Sequence, residues 1–253
     1  MKTSEELYDQ NASRWTRTEK VLLSDFTARP RVLEALEPIA GAHVLDLGCG
    51  EGYVARQVLA RGAASVHGID ISAEMVDRAR AQATPEDALT FDVGDAAAAH
   101  AFPRPEYARV MAVFLFNYID CAAMTRVCTH VREHLAPGGR FVFTLPHPSL
   151  AFLRAKEAPF YFEPGDASYM GARDETFEGR IWRRDGVDVP VRCVHKTFTD
   201  VFAALRDAGF TSLPVVTELA VTSEHLALDP EFFGPLEGDP LHVLVSVERE
   251  ANA

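Results

Sequence analysis

Val44-Leu45-Asp46-Leu47-Gly48-Cys49-Gly50-Glu51-Gly52 is the stretch on which the reading of this sequence turns. The mostly apolar run Val44 to Leu47 reads as a buried strand, the glycines at 48, 50 and 52 as a turn, and Tyr53 to Arg61, stopped by Gly62, as a helix. Glycines at alternate positions let the backbone bend sharply and approach a ligand closely, and the first turn of the helix offers unpaired N–H groups. A dinucleotide fingerprint would place its third glycine at position 53, where it lets the helix lie close on the strand. Position 53 is Tyr and the glycine stands at 52, which disfavours nicotinamide cofactors.

Outward from that motif, apolar runs bounded by glycine alternate with amphipathic stretches, as βαβ units with a parallel sheet do. Strands are expected at Ser65 to Ile69, Leu89 to Val93, Arg109 to Phe114 and Arg140 to Leu145. Ser72 with Glu74 and Met75 opens a helix, and another is expected from Ala122 to Leu135, stopped by Pro137-Gly138-Gly139. Thr197 and Asp200 form a capping box for a helix ending at Ala208-Gly209, and Phe210 to Val216 with His242 to Glu248 read as a closing antiparallel pair. The expected fold is α/β: a Rossmann-like, seven-stranded, mostly parallel sheet with helices on both faces and an antiparallel final strand. Two segments escape the alternation. Residues 1–40 form an N-terminal helical cap carrying Tyr8, Trp15 and Phe26. Within the main domain, 41–253, an aromatic-rich insertion at about 146–195 reads as a substrate lid. Its end predicts a hairpin about Asp185-Gly186 with a type I′ turn.

The other strand ends carry chemistry. Asp70, in Gly68-Ile69-Asp70-Ile71, ends the second strand about twenty residues after the glycine turn, where a carboxylate can accept both hydroxyls of a ribose. Asp95, in Val93-Gly94-Asp95-Ala96, closes the third, where an acceptor can take an adenine amino group. Together they describe a nucleoside across the carboxyl edge of a parallel sheet. These elements resemble the class I S-adenosylmethionine-dependent methyltransferases over about Ala40 to Leu145. The resemblance implies that Asp46 and the glycine loop, Gly48, Cys49, Gly50 and Gly52, frame the methionyl part of the cofactor. It implies further that Asp70 binds the ribose, that Ile71 packs on adenine and that Asp95 with Ala96 reads the adenine edge. Phe114-Leu115-Phe116-Asn117-Tyr118 occupies the family's fourth motif near the sulfonium, which assigns Val113 and Phe114 to the cofactor. That run is also similar to toxoflavin-type N-methyltransferases, and the His-Pro pair after strand five resembles small-molecule members of the class. Ala108 and Arg109 depart from the family's pattern and leave the packing around strand four open.

Methyl transfer from a sulfonium is an in-line displacement, so the enzyme has chiefly to align the reactants at roughly 3–3.5 Å and exclude water. Where the nucleophile carries a proton, histidine is the usual base, and His147 and His195 are the candidates; His147 also reads as a polar strand terminator, and His195 reads first as a hydrogen-bonded surface or capping histidine. Asn117 and Tyr8 could hold the acceptor or the cofactor carboxylate. Trp15, Tyr118, Tyr161, Tyr169 and Trp182 could wall an aromatic acceptor, or simply pack. The expected substrate is a small aromatic or heterocyclic metabolite of secondary metabolism, methylated at O, N or C. A macromolecular substrate, or a non-catalytic role in binding S-adenosylmethionine, stays open. With 25 basic against 37 acidic residues and a net charge of −12, the chain opposes nucleic-acid binding. No apolar run approaches the roughly 20 residues of a membrane span. The four cysteines, Cys49, Cys121, Cys128 and Cys193, form no CxxC pair, which points to the cytoplasm and to no metal site. The oligomeric state is not legible.

Overall fold

Val44, Leu45 and Leu47 are buried completely, as a strand sandwiched between two helical layers requires. They form β1 (His43–Leu47), the middle of the sheet in a computed structural model that describes residues 4–84, 88–98 and 102–251. Around it lie β2 (Ser65–Asp70), β3 (Leu89–Val93), β4 (Tyr107–Val113) and β5 (Leu135–Pro146), all parallel, and then the antiparallel β9 (Val215–Leu219) and β10 (His242–Glu248). Among the described residues the order is β3-β2-β1-β4-β5-β10-β9, a seven-stranded sheet. The chain order reverses direction beside β1, so the crevice at the carboxyl ends of β1 and β4 is the topological switch point. In register, Asp46 lies beside Gly68 and Met111.

The helices are α1 (Ser4–Trp15), α2 (Leu23–Thr27), α3 (Arg29–Ala35), α4 (Tyr53–Ala60), α5 (Ala73–Ala81), α6 (Cys121–His134), α7 (Leu150–Leu153), α8 (Phe198–Asp207), α9 (Ser223–Leu228) and α10 (Pro230–Phe233). Their starts follow side-chain chemistry. The Ser72 hydroxyl accepts from Met75 N–H, Asp120 accepts from Ala123 N–H, and Thr197 and Asp200 cap α8 reciprocally. Two apolar cores fill the space on either side of the sheet. Arg109 departs from an apolar strand pattern for a physical reason: its guanidinium donates to the carbonyls of Leu36 and Pro38 just beyond α3, and Arg140 does the same for Ala35 and Glu37.

Several boundaries differ from expectation. Pro137-Gly138-Gly139 does not separate helix from strand: α6 runs straight into β5, and the three residues lie where the β4–β5 register slips between Tyr107 and Arg109. The strand expected at Phe210 to Val216 is displaced to β9, because Pro214 has no N–H to give the ladder and pairing starts only after it. The segment 220–241, unassigned from sequence, supplies α9 and α10.

The insertion at 146–195 folds into its own three-stranded sheet, β6 (Phe160–Glu163), β7 (Thr176–Trp182) and β8 (Asp188–Val194), in the order β6-β7-β8. Its hairpin does not use a type I′ turn. Gly186 alone takes a positive φ, of 84°, and Arg183 N–H donates to Val187 O at 2.8 Å across a three-residue loop with a glycine bulge. A third core joins this sheet to α2, α7 and α10 through Leu23, Leu150, Phe160, Phe162, Phe177 and Phe233. The N-terminal stretch is tied to the same sheet: Leu22 bridges Arg183, and Arg184 N–H donates to Val21 O.

Candidate active site

The glycine turn after β1 opens into a cleft of about 1460 Å³, part of it open to solvent. Gly48, Gly50 and Gly52 have φ of 71°, 55° and 77°, the left-handed region that favours glycine. The turn is held by β2: Gly48 and Cys49 N–H both donate to Ile69 O, and Gly50 N–H donates to the Asp70 carboxylate at 2.8 Å. Asp70 also accepts from Ser72 N–H at 3.0 Å. Burial raises the Asp70 carboxyl above its ordinary range, and these two N–H groups oppose that rise.

Asp46 closes the floor. It is 1% exposed, and neither carboxylate oxygen has a hydrogen-bond partner among the described residues. Burial, with the negative charge of Asp70 beside it, pushes its pKa up to about 8. A buried carboxyl without donors is costly, and what would complete it is a cationic group brought in by a ligand. Cys49 is pushed up too, by burial and then by Asp70 and Asp46, so it stands as a thiol and not as a nucleophile.

Opposite lies a buried charge network that sequence reasoning missed. Arg17 makes a two-pronged pair with Asp25, at 2.8 and 2.7 Å, and reaches Glu51 at 3.5 Å; Arg29 meets Asp25 at 3.1 Å. Burial alone would raise the Asp25 carboxyl, but the charges of Arg29 and Arg17 hold it low. Glu51 is buried and paired with both Arg17 and Arg56, and so fastens the N-terminal stretch to the glycine turn. Arg29 is lowered by burial and then by Arg17; it lies 5.5 Å from the Phe114 ring centroid and faces the cleft. The i, i+4 spacing of Asp25 and Arg29 was the available signal for part of this network.

Of the residues singled out from sequence, Asp46, Gly48, Cys49, Gly50, Asp70, Ile71, Asp95, Ala96, Val113 and Phe114 line the cleft, as do Tyr8, Trp15, Asn117 and Tyr118. Tyr8 and Tyr118 meet edge to face at 5.1 Å and share a hydrogen bond, with Tyr8 also 5.4 Å from Trp15. Gly52 does not line the cleft; it is where α4 begins, and a Cβ there would lie 2.8 Å from the Phe91 ring.

The lid aromatics require correction. Tyr161, Tyr169 and Trp182 are not in the cleft. Successive strand residues face opposite sides, so Phe160, Phe162 and Ile181 point in while Tyr161 and Trp182 pack on one another outside, 5.8 Å apart. Tyr169 packs within the insertion, against Phe152 and His195. The two histidines also fall outside. His147 takes Ser149 N–H on Nδ1, which leaves Nε2 to donate to Glu218 at 2.8 Å. His195 Nε2 lies 2.8 Å from Tyr169 O, and burial lowers its pKa. Both border a separate small void on the far side of Asn117 and Pro146. The histidine that does line the cleft is His242, at the start of β10.

Among the described residues no cluster of His, Cys, Asp or Glu could hold a metal ion, all four cysteines are free, and no helix is long and apolar enough to cross a membrane.

The family model described as a methyltransferase domain matches residues 44–139. Over 202 residues the chain is 30% identical to N-demethylindolmycin N-methyltransferase of Streptomyces griseus, covering 74% of this chain and 73% of that one. It is 30% identical over 146 residues to an aklanonic acid methyltransferase of Streptomyces sp. strain C5, covering 55% of this chain and 63% of that one. A crystal structure of an S-adenosylmethionine-dependent methyltransferase from Mesorhizobium loti superimposes with a TM-score of 0.66 at 27% identity, over 87% of this chain and 96% of that one. A crevice at the switch point, an orphaned carboxylate at its floor and these relationships agree: the chain belongs to the S-adenosylmethionine-dependent methyltransferases.

Proposed function

We propose that this enzyme methylates a small aromatic or heterocyclic metabolite inside the cleft. The carrying observation is that the lid sheet and the N-terminal stretch turn apolar side chains, Leu23, Phe160, Phe162, Ile181 and Val191, onto the cleft beside the glycine turn. Such a surface suits a compact apolar acceptor rather than a nucleic acid, and the net charge of −12 points the same way. The relatives named for N-demethylindolmycin and for aklanonic acid are by name methyltransferases of small molecules.

In this reading the cofactor, when bound, supplies an electrophilic methyl group. Asp46 takes its ammonium group and Arg29 its carboxylate, with Gly48, Cys49 and Gly50 offering backbone around the methionyl part. Asp70 takes the ribose hydroxyls, Ile71 packs on the adenine, Asp95 with Ala96 reads its edge, and Val113 with Phe114 borders the sulfonium. The unpaired Asp46 oxygens and the half-exposed Ile71 fit that group. Residues 1–40 and the insertion at 146–195 serve as cap and lid over the acceptor, excluding water, with Tyr8, Trp15, Asn117 and Tyr118 bordering it. The setting is cytoplasmic secondary metabolism.

The test is radiolabelled methyl uptake from S-adenosylmethionine into a panel of small phenols, indoles and heterocycles, run beside transfer RNA and a peptide pool. Uptake confined to the small molecules supports the reading; uptake confined to RNA or peptide overturns it.

A further inference from the structure

His242 is 3% exposed, lines the cleft, and has neither ring nitrogen paired among the described residues. Its backbone explains its place. As the first residue of a strand antiparallel to β5, it lies beside Pro146 at the carboxyl edge of the sheet, where the parallel strands end. Its ring packs edge-on against Phe114 at 5.0 Å and lies 5.9 Å from Phe160, so it sits between two aromatic rings that also line the cleft. Phe114 holds a φ of 62°, a conformation that a bulky L-residue adopts only under constraint, and strain of this kind gathers at ligand sites. Leaving a buried polar group unpaired costs about 1–3 kcal/mol, so a ring kept this way is waiting for a partner from the ligand.

Resting on the methyl-transfer reading above, we propose that His242 orients the acceptor, and that the acceptor is an uncharged, flat aromatic or heteroaromatic molecule presenting an N–H or O–H group to the imidazole. Charge decides the class. Burial, reinforced by the nearby positive charge of Arg29, drives the imidazole pKa down to about 3, so the ring is neutral and offers one acceptor and one donor. Asp46, Asp70 and Arg29 are the charges assigned to the cofactor. The acceptor end is otherwise bordered by Leu23, Phe162, Ile181 and Val191, by Tyr8, Trp15 and Tyr118 and by the unpaired amide oxygen of Asn117, while Arg17 and Glu51, which also line the cleft, are already held in ion pairs with Asp25, Arg56 and each other, so a carboxylate, phosphate or ammonium there would be desolvated without a free counter-ion. A neutral N–H or O–H on a planar ring satisfies His242 and lies against the aromatic and apolar walls beside it.

The experiment uses full-length protein. Calorimetry with S-adenosylhomocysteine first establishes the cofactor site. Protein saturated with S-adenosylhomocysteine is then examined by ligand-detected NMR with indole, benzimidazole and 7-hydroxycoumarin against their carboxylate- or phosphate-bearing counterparts. The same panel is assayed for methyl uptake with wild-type, His242→Phe and His242→Gln enzymes. The neutral members bind and accept methyl at least ~10-fold better than the charged ones. His242→Phe lowers kcat/KM for them ~30-fold or more, and His242→Gln restores part of it, while S-adenosylhomocysteine affinity changes less than ~3-fold in both variants. Preference for a charged member, binding of no neutral member, or full kcat/KM in His242→Phe overturns the proposal while leaving the cofactor reading intact. Failure of the wild-type protein to bind S-adenosylhomocysteine brings down the methyl-transfer reading itself and this proposal with it.

Discussion

Replacing Asp46 with Asn should make the ligand-free protein more stable and the cofactor bind more weakly. An ordinary aspartate titrates near 3.8, and this one is pushed up to about 8. Between those values the folded protein binds a proton that the unfolded chain does not, so stability is full below about pH 4 and falls as pH rises towards 8. At about 1.4 kcal/mol per pH unit, the cost reaches an upper bound of about 4 kcal/mol at pH 7. Asparagine has the same shape without the charge and escapes that cost. At ~2 °C per kcal/mol, its Tm should exceed the wild type's by up to ~8 °C at pH 7, by less at pH 5, and by a constant amount above pH 8. The cofactor side carries the opposite sign. At pH 7 the empty site holds about 0.9 of a proton on Asp46, which an arriving ammonium group must expel. Calorimetry with S-adenosylhomocysteine in buffers of different ionisation enthalpy should therefore show release of ~0.9 proton from the wild type and none from Asp46→Asn, whose affinity should fall ~10- to 100-fold. The reasoning is refuted if the variant's Tm advantage is absent or independent of pH, or if the wild type releases no proton on binding.

Three further outcomes are expected. Gly52→Ala forces a Cβ into a residue with φ of 77° and to 2.8 Å from Phe91, so it should lower stability by ~1–3 kcal/mol in urea unfolding, with S-adenosylhomocysteine affinity falling only as α4 shifts. His147→Ala removes a ring held by Glu218 and Ser149 outside the cleft; kcat/KM should stay within ~3-fold while stability drops ~1 kcal/mol, and a tenfold loss of kcat/KM at unchanged Tm would return His147 to the chemistry. Arg29→Met leaves Asp25 paired with Arg17 but takes the positive charge from the cleft, so the calorimetric affinity for S-adenosylhomocysteine should fall ~10-fold or more, with 5′-methylthioadenosine, which lacks the amino-acid group, unaffected.

How much of this was legible depended on whether the constraint was local. The turn from Gly48 to Gly52 could be read because left-handed backbone and close approach leave few residues to choose from, and the helix caps at Ser72 and Thr197 because the bonding partners lie within three residues. The lid failed for a different reason. In Phe160-Tyr161-Phe162 every residue is aromatic, so no alternation of apolar with polar residues reveals which face is inward, and the tyrosine was a natural but incorrect choice. The Arg17, Asp25, Arg29 and Glu51 network joins residues up to 34 apart in sequence, with Arg17 and Glu51 meeting at 3.5 Å only once the sheet is in place. His242 was within reach. A final strand antiparallel to strand five must bring its first residue to the carboxyl edge, so topology places His242 there beside the end of β5 that leads into His147, and only the side-chain directions put His242 alone of the two in the cleft.

Several of the buried unpaired polar groups gather at one place. The oxygens of Asp46, the amide oxygen of Asn117, the indole N–H of Trp15 and both nitrogens of His242 all border one cleft, and all are buried without partners among the described residues. At about 1–3 kcal/mol each, their combined cost rivals the whole net stability of an ordinary domain. The buried ion pairs and three apolar cores offset it, and the elements that close the cleft are fastened by contacts at its rim, such as Asp9 with Ser72 and Arg183 with the Arg14 carbonyl. A ligand that satisfies several of these groups at once recovers part of that cost as affinity. The cofactor reaches only Asp46 among them in the arrangement proposed here, so the polar groups at the acceptor end remain to be satisfied by the acceptor. Binding should then be ordered, with S-adenosylhomocysteine giving a moderate rise in Tm and a fitting neutral acceptor a second rise that neither an anionic analogue nor the His242→Phe variant shows.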